Sequence, residues 1–275
     1  MILDTLAAAS KKRAEAAKEK ISLREMERLA LLACEKTKEK ELSFEKALSS
    51  PDISFICEVK RASPSKGLIA PDFPYVDIAK EYEMAGADAI SVLTEPEYFL
   101  GSNDYLTEIS REVTLPLLRK DFTVDPYQIY EAKAIGASAV LLICALLDRE
   151  ALREGIRLCD SLGLSALVEA HDDREIHSAL SAGARIIGVN NRNLKTFEVD
   201  FDNSIRLRNM VPDQVLFVAE SGIRTKEHLR VLAEAGVDAV LIGESLMRSP
   251  DKKEIIDGFK RAARGEEKSG GNNED

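Results

Sequence analysis

Six polar side chains in this sequence follow short apolar runs at positions where they could take part in acid–base chemistry. Each is in phase with an apolar residue of its run, so its side chain leaves the same face of the predicted strand. They are two lysines, three glutamates and one amide: Lys60, Lys120, Glu58, Glu169, Glu220 and Asn190. Charged groups that meet in a partly desolvated place have shifted pKa values and can serve as general acid and base. The set therefore indicates an acid–base active site.

Simpler interpretations exist for these residues one at a time. The ends of strands are exposed to solvent, so simple solvation explains any single polar residue there at least as well as a catalytic role does. Glu58 and Lys60, two positions apart, also fit a structural ion pair. Coincidence is a poor explanation for six such residues in register, which favours the active site.

Eight short apolar runs alternate with amphipathic stretches between residues 51 and 264. Most runs are continuous, as expected for strands of a parallel sheet that is buried on both faces. We predict strands at Phe55–Lys60, Ala89–Leu93, Leu115–Lys120, Ala139–Leu146, Ala166–Glu169, Ile186–Asn190, Leu216–Glu220 and Ala239–Gly243. We predict helices at 76–86, 103–112, 126–135, 148–162, 172–182, 201–209, 225–235 and 251–263, several of them with caps such as Asp148, Asp172 and Thr225.

A weak internal repeat supports this order of elements. Four similar segments each end a helix and start a strand, and we predict left-handed helix stops at their glycines, Gly86, Gly136, Gly183 and Gly236. They recur about every 50 residues, the length of two βα units, so four pairs make eight units. The predicted fold is α/β, a (β/α)8 TIM barrel, whose usual size is about 250 residues. A doubly wound sheet is the rival, but no G-x-G-x-x-G follows the first strand.

The two ends of the chain differ from its centre. Residues 1–50 are rich in Ala, Lys, Glu, Arg and Leu and predict an N-terminal helical extension packed on the barrel, ending near Ser49–Pro51. Residues 51–264 form the predicted catalytic barrel. Residues 265–275 are polar and contain glycine, which is typical of a disordered tail.

Composition excludes several classes of protein. The 275 residues are 45% hydrophobic and 31% charged, the balance of an ordinary globular protein. No apolar run approaches the roughly 20 residues of a membrane helix, and the start lacks the order of a secretory signal, which predicts a cytoplasmic protein. The net charge of −10 argues against nucleic acid or an anionic membrane as partner, although a local lysine cluster can still bind an anionic small molecule.

Cysteine and histidine usage gives no sign of a metal site. The four cysteines show no CxxC spacing and predict reduced, buried thiols. The three histidines share no close ligand spacing, so we expect no zinc. We predict that His171 and His177 are exposed polar residues and that Arg119, out of phase with Lys120, points toward the helices. Phe122 either lines the pocket or packs beneath a loop.

Glycines in the last two strand-to-helix loops indicate a phosphate site. Gly222 and Gly243 follow the seventh and eighth strands, whose loops form the usual phosphate site of such barrels. Each glycine alone is also explained by a tight turn. The long first loop, Arg61–Gly67, could close over an anion, and the three features together favour phosphate binding.

Seven blocks of the sequence closely resemble the indole-3-glycerol-phosphate synthase family. The first is Glu58–Gly67 (EVKRASPSKG), the segment most typical of the family. The others follow in order: Ser91–Pro96, Leu118–Phe122, Leu167–His171, Gly188–Leu194, Ala219–Ile223 and Leu241–Arg248. The resemblance covers nearly the whole chain, including the N-terminal extension, and leaves out only the last eleven residues.

The resemblance implies a function and a set of roles. The substrate would be 1-(2-carboxyphenylamino)-1-deoxyribulose 5-phosphate, whose indole ring closes with loss of CO2 and water, without metal or organic cofactor. The general acid would be Lys120, and Glu169 would act as base or proton relay. Lys60, beside Glu58, either bridges catalysis and phosphate binding or supplies the acid for dehydration. The resemblance also implies substrate contacts by Asn190, Arg192, Glu220 and Ser221, and phosphate contacts by Ser63, Gly222, Gly243 and Glu244, the side chain of Glu244 being turned away.

Alternative functions remain at this stage. Another phosphate-binding barrel, such as phosphoribosylanthranilate isomerase, would share the last two loops but not the set of Glu58, Lys60, Lys120 and Glu169. A non-catalytic or engineered barrel would keep most of the site while changing its task. A single complete barrel gives no reason to require a partner chain, so we expect a monomer.

Overall fold

A closed barrel of parallel strands forms the centre of the molecule. The computed structural model describes residues 2–36, 42–193, 196 and 198–266, and within them eight strands pair in sequence order until the eighth hydrogen-bonds to the first. The strands are β1 (Ser54–Val59), β2 (Ala89–Leu93), β3 (Leu117–Lys120), β4 (Ala139–Ile143), β5 (Ser165–Ala170), β6 (Ile186–Asn190), β7 (Leu216–Glu220) and β8 (Ala239–Ile242). The predicted TIM barrel is confirmed.

Helices follow the strands and form the outer layer. Three precede the barrel: α1 (Ile2–Lys20), α2 (Leu23–Lys36) and α3 (Ser43–Leu48). The others are α4 (Tyr75–Met84), α5 (Asn103–Glu112), α6 (Pro126–Ala134), α7 (Arg149–Ser161), α8 (Asp173–Ala182), α9 (Asp202–Arg208), α10 (Lys226–Glu234), α11 (Glu244–Met247) and α12 (Lys252–Ala263). The predicted caps are confirmed, since the side chains of Asp148, Asp172 and Thr225 each accept a backbone N–H of the first turn.

Local sequence signals explain where several helices end. The four repeat glycines adopt left-handed φ angles, 84° at Gly86, 96° at Gly136, 93° at Gly183 and 74° at Gly236. A residue with a side chain is strained in this conformation, so glycine lets the chain leave the helix and enter the next strand. The prediction of helix stops at these positions is confirmed.

Alternation along the strands divides the apolar side chains into two layers. Ile56 points into the barrel, whereas Cys57 and Val59 of the same strand pack against the helices, as predicted. Phe44 and Leu48 of α3 join the inner layer and are fully buried there. The remaining fully or nearly buried members of the inner layer are Ala89, Leu118, Ala139, Leu141, Ile143, Leu167, Ile186, Val218, Ala239 and Leu241.

Some predicted boundaries were wrong. The fourth strand ends at Ile143 rather than Leu146, because the chain turns there, and the third begins at Leu117. The first loop contains an unpredicted two-stranded hairpin, Ala62–Ser63 with Gly67–Leu68. Helix α11 was also not predicted. The predicted tail falls mostly on residues 267–275, outside the described residues, as do residues 37–41 of the extension.

Cys57 and Cys159 are buried as predicted, but Cys34, on α2, and Cys144, just after β4, are only half-buried. None of the four forms a disulfide. Within the described part of the chain, no helix is long and apolar enough to cross a membrane.

Candidate active site

One cavity at the carboxyl ends of the strands collects the predicted site residues. Barrel enzymes carry their active sites at this end, because the strand-to-helix loops can vary there without disturbing the barrel. Thirteen of its lining residues were predicted from the sequence: Glu58, Lys60, Ser63, Lys120, Phe122, Glu169, Asn190, Arg192, Glu220, Ser221, Gly222, Gly243 and Glu244. The structure therefore brings together all the residues that the sequence indicated.

Lys120 lies between two buried carboxylates. Its Nζ is 3.4 Å from Glu169 Oε2 and 3.5 Å from Glu220 Oε2. The glutamate side chains are each 2% exposed and the lysine side chain 14%. The three groups come from β3, β5 and β7, whose inward positions meet because strands two apart contribute to the same layer of the barrel.

The surroundings determine the charges of this triad. Burial alone would lower the pKa of Lys120, but the charges of Glu220, Glu169 and Glu58 outweigh it and raise the pKa, so the ammonium is kept. Burial likewise opposes the charge of Glu169, yet Lys120 and His171 hold its pKa well below the usual range. Burial, assisted by the negative charges of Glu169 and Glu58, raises the pKa of Glu220 to about 7. Lys120 is thus a protonated acid beside one firmly ionised carboxylate.

Asn190 completes the surroundings of Glu169. Its Nδ2 donates to Glu169 Oε2 at 3.4 Å, and its Oδ1 accepts the backbone N–H of Arg192 at 3.0 Å. The next residue, Asn191, donates to the carbonyl of Ser221 at 3.1 Å. The Asn190–Glu169 bond joins the ends of β6 and β5, and the Asn191–Ser221 bond joins the end of β6 to the loop after β7. The two amides therefore hold three neighbouring strand ends together.

Glu58 and Lys60 form an ion pair at the end of β1, with the lysine Nζ on Glu58 Oε2. Lys60 lies just beyond the strand and lines the cavity. An added Cβ at Gly243 would meet both side chains, with Lys60 Nζ 3.1 Å away. The pair therefore lies directly against the loop that follows β8, and glycine is required there for this close approach.

The loops after β1, β7 and β8 meet at one side of the cavity. Ser221 and Gly222 both adopt positive φ angles, 65° and 79°, which turn the chain sharply after Glu220. Lys66 of the first loop lies 3.5 Å from Glu244, whose carboxylate is also 3.5 Å from Arg248. The side chain of Glu244 is thus engaged by cations, while its backbone remains beside the cavity.

The opposite side of the cavity is apolar. Phe122 and Phe99 pack with ring centroids 6.1 Å apart, and Leu93, Leu141 and Ile143 line the wall with them. Of the two options for Phe122, the position lining the cavity is the observed one. An aromatic ring fits such a wall, while phosphate and hydroxyl groups fit the polar side.

Comparison with known proteins decides the family. Residues 3–259 match the family model described as indole-3-glycerol phosphate synthase. The chain belongs to this family. Its members are carboxy-lyases of tryptophan biosynthesis that act on a phosphorylated small-molecule substrate.

Individual relatives agree with this assignment. The indole-3-glycerol phosphate synthase of Ruminiclostridium cellulolyticum is 59% identical over 251 residues, which cover 91% of this chain and 95% of the relative. That of Lacticaseibacillus paracasei is 52% identical over 96% of this chain and 100% of the relative. Among solved structures, 3-hexulose-6-phosphate synthase from Salmonella typhimurium has a TM-score of 0.64 at 15% identity, covering 78% of this chain and all of that one. This last likeness concerns the fold alone.

One expectation about the synthase site was wrong. His171 is not an exposed polar residue: its imidazole is 19% exposed, with Nε2 3.3 Å from Glu169 Oε1 and Nδ1 2.9 Å from Glu175 Oε2. His171 immediately follows β5, where Glu169 faces the barrel interior, and the chain then turns back into α8, which carries Glu175. This turn places the imidazole between Glu169 and Glu175. His177, on α8, is exposed as predicted.

Gly188 is a second residue that sequence reasoning missed. An added Cβ there would overlap Glu220 Oε1, so the glycine leaves the space that this carboxylate fills. A glycine inside an apolar strand often marks such a close approach, and this was the available signal. Arg119 behaves as predicted, since it turns to the helices and bonds the carbonyl of Gln128 at 2.8 Å and the carboxylate of Glu131 at 2.6 Å.

Among the described residues, no group of three or more histidine, cysteine, aspartate or glutamate side chains is arranged to hold a metal ion. The lysines and glutamates of the cavity are already engaged with one another. Their arrangement suits proton transfer and the binding of an anion.

Proposed function

We propose that this synthase closes the indole ring of 1-(2-carboxyphenylamino)-1-deoxyribulose 5-phosphate with Lys120 as the general acid. The observation that carries the proposal is the position of the Lys120 ammonium between Glu169 and Glu220, at 3.4 and 3.5 Å. As the aromatic carbon that bears the carboxylate bonds to the ketone carbon, the ketone oxygen gains charge. Lys120 donates a proton to that oxygen, which becomes a hydroxyl group.

The later steps follow from the same set of groups. The new carbon–carbon bond interrupts the aromatic ring, and loss of CO2 leaves its electron pair in the ring and restores it. The anilino nitrogen then assists departure of the hydroxyl, which takes a proton and leaves as water. Glu169 removes a proton from the carbon next to nitrogen, which completes the indole. Its lowered pKa keeps it ionised and ready to accept that proton.

Lys60 and the surrounding loops are proposed to hold the phosphate. Lys60 Nζ lies against Gly243, and Ser63 lines the same side of the cavity. We assign backbone contacts with the phosphate to Gly222, Gly243 and Glu244, because glycine allows N–H groups to approach an anion closely. This location also leaves Lys60 able to supply the proton for dehydration, through its pair with Glu58.

The remaining residues are proposed to orient the substrate. Asn190, Arg192, Glu220 and Ser221 line the cavity where hydroxyl groups and the carboxylate would lie, and Phe122 lines the apolar wall where the anilino ring would pack. Holding the two reacting carbons together converts ring closure into a well-positioned intramolecular step. The hydrogen bonds of the Asn190 side-chain amide with Glu169 and with the Arg192 backbone support such positioning.

Steady-state turnover of the substrate, followed by indole fluorescence, tests the acid. We expect activity in the parent and a loss of about two to four orders of magnitude in Lys120→Ala, the usual contribution of a general acid. Lys80→Ala is the matched control, because Lys80 lies on an outer helix in an exposed pair with Glu112, and it should retain parental turnover. Equal turnover in parent and Lys120→Ala would assign the acid elsewhere. A parent that binds the substrate without closing the ring would contradict the synthase function.

We further propose that the chain acts as a monomer in the cytoplasm and without nucleic acid. The net charge of −10 disfavours binding to polyanions, and four cysteines without a disulfide suit a reducing compartment. Each of the proposed site residues comes from the same chain. Sedimentation at several concentrations should give a single species of 30.3 kDa.

A further inference from the structure

A half-buried histidine bridges Glu169 to a second carboxylate, Glu175. His171 Nε2 is 3.3 Å from Glu169 Oε1, an ion-pair distance without good hydrogen-bond alignment. On its other side, Nδ1 is 2.9 Å from Glu175 Oε2, and the same oxygen accepts the backbone N–H of His171 at 2.8 Å. Glu175 belongs to the first turn of α8, whose cap Asp172 accepts the Glu175 N–H. The imidazole is therefore fixed to a rigid helix terminus.

The two oxygens of Glu169 have different neighbours. Oε2 faces Lys120 and Asn190, each at 3.4 Å, and these are side chains that line the cavity. Oε1 faces His171, which is not among the described side chains that line it. The histidine thus contacts Oε1 of Glu169, while Oε2 faces the groups that line the cavity.

The charged groups around His171 favour its imidazolium form. Burial alone would lower its pKa, but Glu169 from β5 and Glu175 from α8 raise the pKa to about 10. Asn203 of α9 binds the His171 carbonyl, and Cys144, after β4, donates to the carbonyl of Glu175 rather than to the ring. A cation at this place adds to Lys120 in keeping Glu169 ionised.

We propose that His171 is a positioning residue: bridged to Glu175, it holds Glu169 Oε1 so that Oε2 stays directed at Lys120 and the substrate. The inference rests on the proposed role of Glu169 as base. Without His171, Glu169 would keep only its 3.4 Å contacts through Oε2 among the described residues, and rotation of the carboxylate would turn this oxygen away from the carbon whose proton it removes. A misplacement of about 1 Å in such a site costs up to about 100-fold in rate.

Histidine titration by NMR tests the bridge directly. The chain has three histidines, so the ring signals of His171 can be assigned by replacing His177 and His228 in turn. We expect His171 to stay protonated well above the pH at which a free imidazole titrates, and Glu169→Gln to lower its titration midpoint by at least about one pH unit. An ordinary midpoint, or one unchanged in Glu169→Gln, would overturn the bridge.

Kinetics test whether the bridge serves catalysis. In His171→Ala we expect kcat to fall about 10- to 100-fold with KM within about twofold of the parent, since the substrate contacts remain. His171→Gln, which retains an N–H donor, should recover part of that loss. His177→Ala, an exposed histidine on the neighbouring helix, is the matched control and should keep parental kcat. Parental kcat in His171→Ala would overturn the proposal.

The base role of Glu169 and the positioning role of His171 fail on different results. If Glu169→Gln keeps parental turnover, Glu169 is not the base, and the proposed function of that residue fails together with the inference. If Glu169→Gln is inactive and His171→Ala is fully active, the proposed function stands and only the positioning role fails. Should His171→Ala not fold, Glu175→Gln replaces it, because this variant removes the anchor and keeps the ring. Glu175→Gln with parental kcat would then overturn the positioning role.

Discussion

Glu169 and Glu220 are both buried next to Lys120, yet their surroundings move their pKa values in opposite directions. Glu169 has two cations nearby, Lys120 and His171, and its pKa is lowered. For Glu220, burial is the largest effect and raises the pKa, and the negative charges of Glu169 and Glu58 raise it further. The attraction of Lys120 lowers the pKa but is too small to reverse the shift. Two carboxylates of opposite behaviour allow one site to hold a group that stays ionised and a group that exchanges its proton near neutral pH.

The raised pKa of Glu220 predicts a pH dependence of stability. In the unfolded chain this carboxyl loses its proton near pH 4.5, whereas the folded chain holds it until about pH 7. The folded state therefore binds more protons in this window, and the contribution of Glu220 to the free energy of unfolding falls as pH rises from 4.5 to about 7. Glu220→Gln lacks this dependence. The free energy of unfolding of the variant, minus that of the parent, should therefore rise by up to about 1.4 kcal/mol per pH unit across the window. Above the window this difference should stay constant.

Urea unfolding followed by far-UV circular dichroism, at half-unit steps from pH 4.5 to 8.5, measures this difference. Glu154→Gln is the matched control, because Glu154 is an exposed glutamate on α7, and its difference from the parent should be constant. A constant difference for Glu220→Gln as well would contradict the raised pKa.

At the scale of elements, α1 anchors two loops of the active site. Arg13 pairs with Glu95, after β2, at 3.0 Å and with Asp121, after β3, at 2.8 Å. These carboxylates are 0% and 4% exposed, and Asp121 also lies 3.7 Å from Arg119. Ser10 of the same helix donates to the carbonyl of Phe122. The extension thus reaches the residues next to Lys120.

Arg13→Met should damage both stability and catalysis. It removes an arginine that pairs with two buried carboxylates, and breaking a buried ion pair costs about 3 kcal/mol in the free energy of unfolding. It also removes one of the contacts that hold Asp121, the neighbour of Lys120, so we expect a lower kcat at temperatures where the variant is folded. Lys12→Met, an exposed neighbour on α1, controls for loss of a cation and should change neither quantity. Denaturant unfolding and turnover measure the two effects, and an Arg13→Met chain with parental values in both would contradict the anchoring role of α1.

The elements also show what could be predicted from the sequence. Strand periodicity was sufficient for Glu58, Lys120 and Glu169, because a two-residue period determines which side chains face the barrel interior. His171 was missed because it lies after a strand, where the turn into α8 rather than any period decides its direction. The hairpin at Ala62–Leu68 was missed for the same reason, since the pairing of Ser63 with Gly67 depends on loop conformation.

At the scale of the whole molecule, the N-terminal extension is part of the barrel core. Phe44 of α3 is fully buried among inward-facing side chains of the strands. Arg185 connects the same helix to the barrel, with its Nε 3.0 Å from Glu45 Oε2. A closed barrel has no free edge, but its interior must still be filled at the end opposite the active site. α3 supplies side chains to that interior, so the extension and the barrel should unfold together.

Phe44→Ala tests this unity. Removing a fully buried ring leaves a cavity and should lower the free energy of unfolding by about 3–5 kcal/mol, in a single transition seen alike by circular dichroism and by loss of turnover. Leu31→Ala, at an α2 position that is 49% exposed, should change it by no more than about 0.5 kcal/mol. Because Phe44 is not among the described residues that line the catalytic cavity, the folded variant should keep parental kcat. Two separate transitions, the first with a loss of helical circular dichroism signal but no loss of turnover, would contradict this. They would mean that the extension unfolds independently of a barrel that is stable by itself.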